Sequence, residues 1–400
     1  MRIVHVTNIV SPDKQGGLER YVRELAETQA AEGHRVSIIA KAGPGVREPR
    51  LVLSTGVDIN RYFGPSKQNP LFVVMYPFTV TAGVLRVLRR LGVRRSASPD
   101  RTVFHAHHPV PAIALRLARL PYVYTFHAPV FKEITGERQA SYKSSDLVLK
   151  TAVFAMRLLE SWLLRGAARV HTLSDFVRAE ALALGVRPGR CSVIPGGIQL
   201  NRFSVPKMTP TADGTRLFAA RRLVERTGVE ELVEAFAEIR RAVPGAELFL
   251  SGTGPRRAAI EQRVEALGLS GSVHLLGWIS DDELVQQYQR ATLTVVPTQY
   301  LEGFGLSTAE SLACGTPAVV TPVGANPELL RDLDSSLIAA DASSSAIAAA
   351  VVAALQDEPA LTRARRTLSA GYARRWGWTE VSRGVLEMYT RVRKPGIRER

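Results

Sequence analysis

Short apolar runs of strand length alternate with amphipathic helical patterns along nearly the whole chain. This alternation is typical of parallel sheets covered by helices on both faces. In residues 1–200 a helix is predicted at Leu18–Ala31, and strands are predicted at Ile3–Val6, Val36–Ala40, Val103–Ala106, Tyr122–Phe126, Val170–Leu173 and Ser192–Ile194.

The same alternation restarts after Ser204–Gly214, a polar and turn-rich stretch that is typical of a linker. Beyond it, strands are predicted at Leu217–Ala220, Leu248–Leu250, Val273–Leu276, Leu293–Val296 and Ala318–Val320. Helices are predicted at Val229–Arg241, Arg257–Leu267, Asp282–Arg290 and Leu306–Ala313. A further helix is predicted in the Ala-rich segment that follows the serines at 343–345, which would cap it.

This order of elements predicts an α/β protein with two doubly wound, Rossmann-like domains, at residues 1–205 and 206–375. Helical periodicity in Trp376–Arg393 predicts a last helix, within about 376–400, that returns to the first domain. Ligands of such folds bind outside the carboxyl ends of the strands, so we expect a ligand in the cleft between the domains.

The composition of 400 residues, 46% of them apolar, excludes a disordered tail and a disulfide-stapled mini-protein. The formal charge of +15 is unevenly distributed. Residues 1–200 carry 28 basic and 14 acidic side chains, whereas residues 201–400 carry 24 and 23. Any positive field therefore belongs to the first half.

The segment Val84–Arg95 in that half has the pattern of an amphipathic helix. Its apolar positions share one face, and the rest is occupied by Arg86, Arg89, Arg90, Arg94 and Arg95. The helix either packs on its own domain with a solvated basic side, which we favour, or lies on an anionic membrane surface.

Three features bear on where the protein is found. Cys191 and Cys314 are far apart, which suits a reducing compartment. The first residues predict a strand rather than a signal peptide, and the uncharged stretch Asn69–Leu85 is too short and too interrupted to span a bilayer. We expect a cytoplasmic protein, with peripheral contact at the inner membrane face as a further possibility.

The stretch from Glu302 to Glu310 is the most informative motif. Gly303 and Gly305 let the backbone come close to a ligand, and the helix that follows offers N–H groups to a phosphate. Glu302, in the loop, can accept hydrogen bonds from sugar hydroxyls, and Glu310, inside the helix, can hold a diol such as a ribose. A glycine turn with a glutamate near a helix start is the structural alternative.

A cluster of cations follows the first strand of the second domain. Arg221, Arg222 and Arg226 lie within six residues there, and guanidinium groups are suited to a diphosphate. Gly16–Gly17, just before the first helix, can approach the same phosphate from the other domain. A solvated basic turn and an ordinary glycine turn are the alternatives.

Four of the eight histidines, His105, His107, His108 and His127, lie within 23 residues. His127 is at the carboxyl end of a predicted strand, where a contact to substrate is expected. No cysteine or carboxylate completes a zinc set among them, so no metal site is predicted.

Several other classes of protein are disfavoured. Pyridoxal-phosphate phosphorylases of similar architecture need a lysine, and the second domain has none between Lys207 and Lys394. The Gly252–Gly254 loop lacks the third glycine of a dinucleotide fingerprint. Asp332–Asp334 matches the D-x-D pattern of metal-dependent transferases by letters only.

Taken together, these residues resemble the retaining glycosyltransferases of family 4, which have the GT-B fold. The resemblance extends over almost the whole chain and rests on Gly16–Gly17, His127, Ile194–Ile198, Arg222, Gly252–Pro255, Pro297 and Glu302–Pro317.

The resemblance implies that the second domain binds a nucleotide diphosphate sugar and the first domain the acceptor. Glu302 would contact the donor sugar, Glu310 the ribose and His127 the transferred sugar. The implied contacts to the diphosphate are Gly16, Gly17, Arg222, Thr227, Gly303, Phe304, Gly305 and Leu306, and those to the base are Gly277 and Trp278.

The chain departs from the family pattern at Thr227, where a lysine usually follows the arginine by five positions. We therefore expect Arg221 or Arg226 to supply the charge, or a more weakly held donor. Gly196 and Gln199 also stand where Asn and Asp are common. These changes bear on which donor is used more than on the reaction class.

The sequence thus predicts a retaining, metal-independent transfer of sugar from a nucleotide diphosphate sugar, with no other cofactor, to a hydroxyl of a small molecule, glycan or lipid-linked acceptor. Two alternatives stay open. One is a sugar-nucleotide epimerase of the same fold. The other is a nucleic-acid-binding protein, which the basic first half suggests but which the lack of interleaved aromatic residues disfavours.

Overall fold

The computed structural model describes residues 1–14, 16–65, 72–93, 102–138, 146–206, 214–356 and 359–393. The chain forms two compact units. The first contains Met1–Val130, Phe154–Gly197 and the chain from Trp378 onward, and the second contains Phe131–Val153 and Ile198–Gly377.

The elements up to Gly197 alternate as the pattern predicts. In chain order they are β1 (Arg2–Val6), α1 (Gly17–Ala31), β2 (Arg35–Lys41), β3 (Arg50–Val52), β4 (Asp58–Tyr62), α2 (Phe72–Arg90), β5 (Thr102–Ala106), α3 (Pro109–Leu117), β6 (Tyr122–Phe126), α4 (Val130–Arg138), α5 (Asp146–Gly166), β7 (Arg169–Thr172), α6 (Asp175–Ala183) and β8 (Cys191–Val193).

The strands of the first unit form one sheet in the order β3-β4-β2-β1-β5-β6-β7-β8. All neighbours are parallel except β3 and β4, which pair antiparallel at the edge. The central strands are buried along their length, as parallel strands covered on both faces must be.

The elements from Ile198 onward repeat the alternation. They are β9 (Arg216–Ala220), α7 (Val229–Ala242), β10 (Glu247–Ser251), α8 (Arg257–Ala266), β11 (Val273–Gly277), α9 (Asp281–Arg290), β12 (Leu293–Val296), α10 (Leu306–Ala313), β13 (Ala318–Val320), α11 (Asn326–Leu330), α12 (Ser344–Leu355), α13 (Pro359–Ala373) and α14 (Trp378–Arg393).

The second unit has a parallel sheet in the order β11-β10-β9-β12-β13. Its order places β9, the first strand of this unit, at the centre, where the carboxyl ends of β9, β10 and β12 come together. Loops after these strands form the candidate site.

The boundary between the units lies earlier than the residue 205 expected from the linker. Ile198 already belongs to the second unit, since it pairs with Gly377 and its N–H donates to the Trp376 carbonyl at 2.8 Å. Residues 207–213 of the predicted linker lie outside the described part of the chain.

Helix α14 is part of the first unit and packs on α1. The indole Nε1 of Trp378 donates to the Glu24 carboxylate at 2.6 Å, and the Ser382 hydroxyl donates to Glu32 at 2.8 Å. The last helix therefore lies against the first helix of the chain, as the sequence predicts.

Helix α2 differs from the expectation for Val84–Arg95. It begins at Phe72, continues through Pro77 and ends at Arg90, and residues 94 and 95 lie outside the described residues. Gly83 lies within this helix, and a Cβ there would lie 2.9 Å from the Tyr62 Cβ. Glycine at this position therefore lets α2 pack closely on β4.

The apolar face of α2 is buried in its own unit, with Val84 and Leu88 0% and 3% exposed. Arg86, Arg89 and Arg90 are exposed. This is the packing that we favoured from the sequence. Within the described residues, no helix is both long and apolar enough to cross a membrane.

Candidate active site

The centre of the site in the second unit is an ion pair between Arg221, after β9, and Glu302, after β12. The Arg221 Nη2 atom donates to the Glu302 carboxylate at 2.9 Å and to the Thr298 hydroxyl at 2.8 Å. The side chain of Arg221 is 8% exposed and that of Glu302 is 16% exposed. The carboxylate is thus held in one place by a buried cation, with part of its surface open.

Gly324 forms the back of the Glu302 loop. A Cβ at this residue would lie 2.6 Å from the Glu302 nitrogen and 2.5 Å from its carbonyl oxygen. The N–H of Ala325 donates to that carbonyl at 2.9 Å. The loop that presents Glu302 is therefore fixed through its backbone by the segment after β13.

Helix α10 begins directly after this loop at Gly305, whose φ of 94° is in the left-handed region that favours glycine. A Cβ at Gly305 would lie 2.7 Å from Leu329 and 3.0 Å from the Asn326 amide oxygen. No side-chain hydrogen bond caps the start of α10. Its first turn thus presents backbone N–H groups and the positive end of the helix dipole.

Two buried polar atoms lie at the start of α10 without a hydrogen-bond partner among the described residues. They are the Thr308 hydroxyl and the Asn326 amide oxygen, and both residues are 0% exposed. An unpaired buried polar atom costs about 1–3 kcal/mol, and a bound ligand is one way in which such an atom gains a partner.

Glu310 differs from Glu302 in being almost fully buried, at 4% exposed. The hydroxyl of Tyr288, itself fully buried, donates to its carboxylate at 3.3 Å. Burial and the charge of Glu310 raise the pKa of the Cys314 thiol to about 12. Cys314 is therefore a thiol at neutral pH, in agreement with a packing role.

Of the three arginines in the cation cluster, only Arg222 has an exposed side chain. Arg221 is bound to Glu302, and Arg226 donates from Nη1 to the Leu301 carbonyl at 3.2 Å. Arg226 thus supports the backbone just before Glu302. Arg222 is the cation of this cluster that faces solvent.

Thr227, which stands at a predicted donor-binding position, contacts the backbone of its own turn. Its side chain is buried, and its hydroxyl lies 2.6 Å from the carbonyl oxygens of both Arg222 and Val224. A hydroxyl has one proton, which it donates to one of these acceptors at a time. The side chain therefore stabilises the turn that carries Arg222.

Gly277 and Trp278 stand at the end of β11. The Gly277 carbonyl accepts from the Gly252 N–H at 2.7 Å, which joins the ends of β10 and β11. The Trp278 side chain is 69% exposed. A large aromatic ring exposed at a strand end is a surface on which a flat ligand can stack.

In the first unit, His127 lies at the end of β6, as predicted. The ring of Tyr21 meets it edge-on at 4.9 Å between centroids, and the His127 Nε2 atom lies 3.4 Å from Nδ1 of His107. Burial and the neighbouring His171 and His108 lower the pKa of His127 to about 3. The ring is therefore neutral at pH 7.

Gly16 and Gly17 precede and begin α1, in the same unit. The backbone of Gly16 is extended, with φ 178°, and α1 has no side-chain cap. A Cβ at Gly16 would lie 2.3 Å from the Glu19 carboxylate. Glu19 also binds Lys14 at 2.5 Å, so the charged groups at this helix start are partly neutralised.

Three imidazoles in this unit, those of His5, His105 and His107, bring ring nitrogens within 4.8 Å of one another. Every one of these nitrogens has a hydrogen-bond partner: His5 bonds Gln29 and His107, His105 bonds Tyr389 and Thr125, and His107 bonds His5 and His127. The cluster is satisfied as a hydrogen-bond network.

Sequence reasoning missed several of these residues. His5 and His171 stand inside apolar strands, where a polar residue signals a buried contact, and the sequence indicated nothing for Thr298 or Asn326. The Arg221–Glu302 pair joins residues 81 positions apart. Only the strand order β9-β12 brings them together.

A family model of the glycosyl transferases group 1 matches residues 206–371, and a model of glycosyltransferase family 4 matches residues 15–202. The chain is 26% identical to a glycogen synthase of Mycobacterium tuberculosis over 98% of this chain and 95% of the relative. It is 28% identical to a phosphatidyl-myo-inositol mannosyltransferase of Mycobacterium leprae, over 96% and 95%.

Two solved structures share the fold. A sucrose-phosphate synthase from Thermosynechococcus elongatus aligns with TM-score 0.80 at 22% identity, over 98% of this chain and 99% of that one. The Anabaena protein HepE, in complex with UDP and glucose, aligns with TM-score 0.74 at 19% identity, over 98% and 100%.

The two parallel-sheet units and these matches define a nucleotide-sugar glycosyltransferase with the GT-B fold. More particularly, since the two family models together take in residues 15–202 and 206–371, the chain belongs to glycosyltransferase family 4.

Proposed function

We propose that this protein transfers a sugar, with retention of anomeric configuration and without a bound metal ion, from a nucleotide diphosphate sugar to an acceptor hydroxyl. The observation that carries the proposal is the Glu302 carboxylate, fixed by Arg221 at 2.9 Å directly before the start of α10. A hydrogen-bond acceptor for sugar hydroxyls thus stands beside N–H groups suited to phosphate.

The diphosphate of the donor would bind the backbone from Gly303 to Leu306 and the exposed guanidinium of Arg222. Arg221 and Arg226 are both engaged with the Glu302 loop. We therefore propose that neither replaces the lysine that the family usually has at position 227, and that the start of α10 carries a larger share of the phosphate binding.

The nucleoside would be held by Glu310 and by Trp278. Glu310, oriented by Tyr288, would accept from the ribose hydroxyls, and the exposed indole of Trp278 with the backbone of Gly277 would contact the base. Because Glu310 is 4% exposed, this contact would need a small movement of its side chain. The Anabaena protein HepE binds UDP in its crystal structure, which makes UDP the first nucleotide to test.

The transfer itself needs stabilisation of the charge that develops on the leaving diphosphate. In this proposal, fixed N–H groups and Arg222 supply it, because preorganised donors stabilise developing charge without reorganisation. The neutral ring of His127 would bind the transferred sugar, with Gly16 and Gly17 contributing backbone from the first unit. Retention is inferred from family resemblance.

The acceptor is proposed only as a hydroxyl compound. One relative is named for a glucan and another for a lipid acceptor. Membrane contact through α2 would use the side chains that α2 exposes, namely its arginines together with Met75 and Phe78, since Val84 and Leu88 are buried in the unit. Co-sedimentation with anionic vesicles tests this, and absence of binding favours a soluble acceptor.

The test begins with thermal shifts against UDP, GDP, ADP and TDP, because a nucleotide that binds the native state raises its apparent stability. The selected nucleotide is then used as a sugar donor with an acceptor panel, with and without EDTA. Acceptor-dependent release of the nucleoside diphosphate that EDTA leaves unchanged supports the proposal. Conversion of the donor sugar without any acceptor indicates an epimerase instead.

A further inference from the structure

A continuous chain of buried polar side chains runs through the first unit and ends at His127. Its far end is the backbone carbonyl of Ile194, which lies 2.8 Å from Nε2 of His171. Nδ1 of His171 lies 3.0 Å from the Thr125 hydroxyl, which lies 2.6 Å from Nε2 of His105.

The chain continues through two groups on helices. Nδ1 of His105 lies 2.6 Å from the hydroxyl of Tyr389, on α14, and that hydroxyl lies 3.4 Å from Nε2 of Gln29, on α1. The amide oxygen of Gln29 lies 2.9 Å from Nε2 of His5.

The last two links lead to the predicted site. Nδ1 of His5 lies 2.9 Å from Nε2 of His107, and Nδ1 of His107 lies 3.4 Å from Nε2 of His127. His5, His105, His107 and His171 are all at most 2% exposed. Burial keeps these rings neutral. It lowers the pKa of His5 and His171 to about 4 and the pKa of His105 and His107 well below the usual value of a histidine.

The direction of every hydrogen bond follows from the carbonyl at the far end. A carbonyl only accepts, so His171 donates from Nε2, and its Nδ1 must accept from Thr125. The single proton of the Thr125 hydroxyl is then used, so its oxygen accepts from Nε2 of His105. Nδ1 of His105 accepts from Tyr389, whose oxygen accepts from the Gln29 amide nitrogen.

This sequence of bonds also fixes the amide of Gln29, whose oxygen then faces His5. A reversed amide would require Tyr389 to donate to it, which would reverse each bond up to His171. His171 would then present a lone pair to the Ile194 carbonyl. The carbonyl therefore excludes the reversed amide.

From Gln29 the bond directions are fixed in the same way as far as His127. His5 donates from Nε2 to the amide oxygen, His107 donates from Nε2 to Nδ1 of His5, and His127 donates from Nε2 to Nδ1 of His107. The structure gives Nδ1 of His127 no hydrogen-bond partner within the described part of the chain.

We propose that this one-directional chain holds His127 as the Nε2–H tautomer, so that its Nδ1 lone pair accepts a hydrogen bond from a substrate hydroxyl. Thr125, Tyr389 and Gln29 are thus positioning residues for His127. The tautomer is a property of the folded protein alone, whereas the use of the lone pair rests on the proposed function.

The direct test is nitrogen-15 NMR of histidine-labelled protein at pH 7.5, in which the two neutral tautomers give different ring-nitrogen shifts. His5, His105, His107, His127 and His171 are all expected as Nε2–H tautomers. An Nδ1–H tautomer or an imidazolium at His127 would overturn the proposal, whatever the activity of the preparation.

A remote substitution separates positioning from simple structural support. Tyr389→Phe removes the hydroxyl that links His105 to Gln29, so the Ile194 carbonyl no longer fixes the orientation of the Gln29 amide. His127 is then expected to show both tautomers, and kcat is expected to fall several-fold. Tyr122→Phe is the matched control. The buried Tyr122 hydroxyl donates at 2.6 Å to the Leu163 carbonyl and is not part of the hydrogen-bond chain that leads to His127.

The control variant is expected to lose similar stability but to keep the single tautomer and the wild-type kcat. An unchanged tautomer in Tyr389→Phe would show that the chain does not control His127. A changed tautomer with unchanged kcat would support control of His127 by the hydrogen-bond chain, but it would contradict the proposed hydrogen bond from substrate to the Nδ1 lone pair.

Discussion

At the scale of single residues, the site depends on side chains that hold other side chains. Glu302 keeps its position through Arg221, Arg222 through the turn containing Thr227, and His127 through His107. Substitutions in the supporting residues are therefore expected to change substrate binding although none of them contacts the substrate.

Thr227→Val tests this at the turn. Valine keeps the volume but removes the hydroxyl that bonds the carbonyls of Arg222 and Val224, so a loss of about 1 kcal/mol of stability is expected. Because the turn carries Arg222, the donor KM should rise several-fold in steady-state kinetics while kcat changes little.

Ser272→Ala provides the control for this variant. The buried Ser272 hydroxyl donates to the Leu269 carbonyl at 3.1 Å, at the start of β11 and away from the strand ends that form the site. A rise in donor KM equal to that of Thr227→Val would show that any loss of stability in this unit has the same effect.

At the scale of elements, the hydrophobic pattern predicted strands β6 and β12 and helix α10 with their observed bounds. It predicted the two strands because both are short runs rich in β-branched or aromatic residues next to a proline, and it predicted α10 because the helix directly follows the glycines of its loop. It missed β4, whose sequence includes Asp58, Asn60 and Arg61. Arg61 is buried there through an ion pair with Asp13 at 2.7 Å, a long-range partner that no local pattern shows.

The sequence predicts the part of the candidate site that lies within one local motif. Glu302, Gly305 and the start of α10 are adjacent in sequence and were assigned from it. The Arg221 contact and the histidine chain depend on which strands are neighbours, and local periodicity does not contain that information. Thr227 was assigned by position in a pattern, which does not show that its side chain turns inward.

Gly83→Ala tests the packing of α2 on β4. In a helix this substitution normally adds up to about 1 kcal/mol of stability. Here the new Cβ would meet Tyr62 at 2.9 Å, so overpacking should dominate and lower the free energy of unfolding by about 1–3 kcal/mol. Urea denaturation measures the sign directly.

Gly371→Ala is the matched substitution in α13, where a Cβ would have no neighbour within 4 Å. It is expected to leave stability unchanged or to increase it. A stabilising effect of Gly83→Ala as well would contradict the close packing of α2 against Tyr62.

At the scale of the whole molecule, the first unit carries both the positive charge and a core of neutral histidines. The pKa values of His5, His108 and His171 are lowered to about 4, and burial is the largest cause for each. Unfolded histidine has a pKa of about 6.5, so below that value the unfolded chain binds protons that the folded unit does not.

The free energy of unfolding is therefore expected to decrease as the pH falls from about 6.5 towards 4, by up to about 1.4 kcal/mol per pH unit for each such histidine. Above pH 7.5 these histidines are neutral in both states, so they do not make the free energy of unfolding depend on pH. Hydrogen exchange in β1, β5 and β6 at pH 7.5 and 5.5 measures the change within the first unit. Equal protection at the two pH values would contradict the neutral histidine core.

The proposed function depends most directly on Glu302 binding the donor sugar at the start of α10. The measurement is acceptor-dependent sugar transfer by wild type and Glu302→Gln, together with nucleoside diphosphate affinity from thermal shifts. We predict a loss of transfer of about 100-fold or more, with nucleotide binding and the fold retained, since the carboxylate acts on the sugar. The variant should be less stable than wild type, because the buried Arg221 loses its ion-pair partner. Near-normal transfer by Glu302→Gln would contradict the proposed role of Glu302.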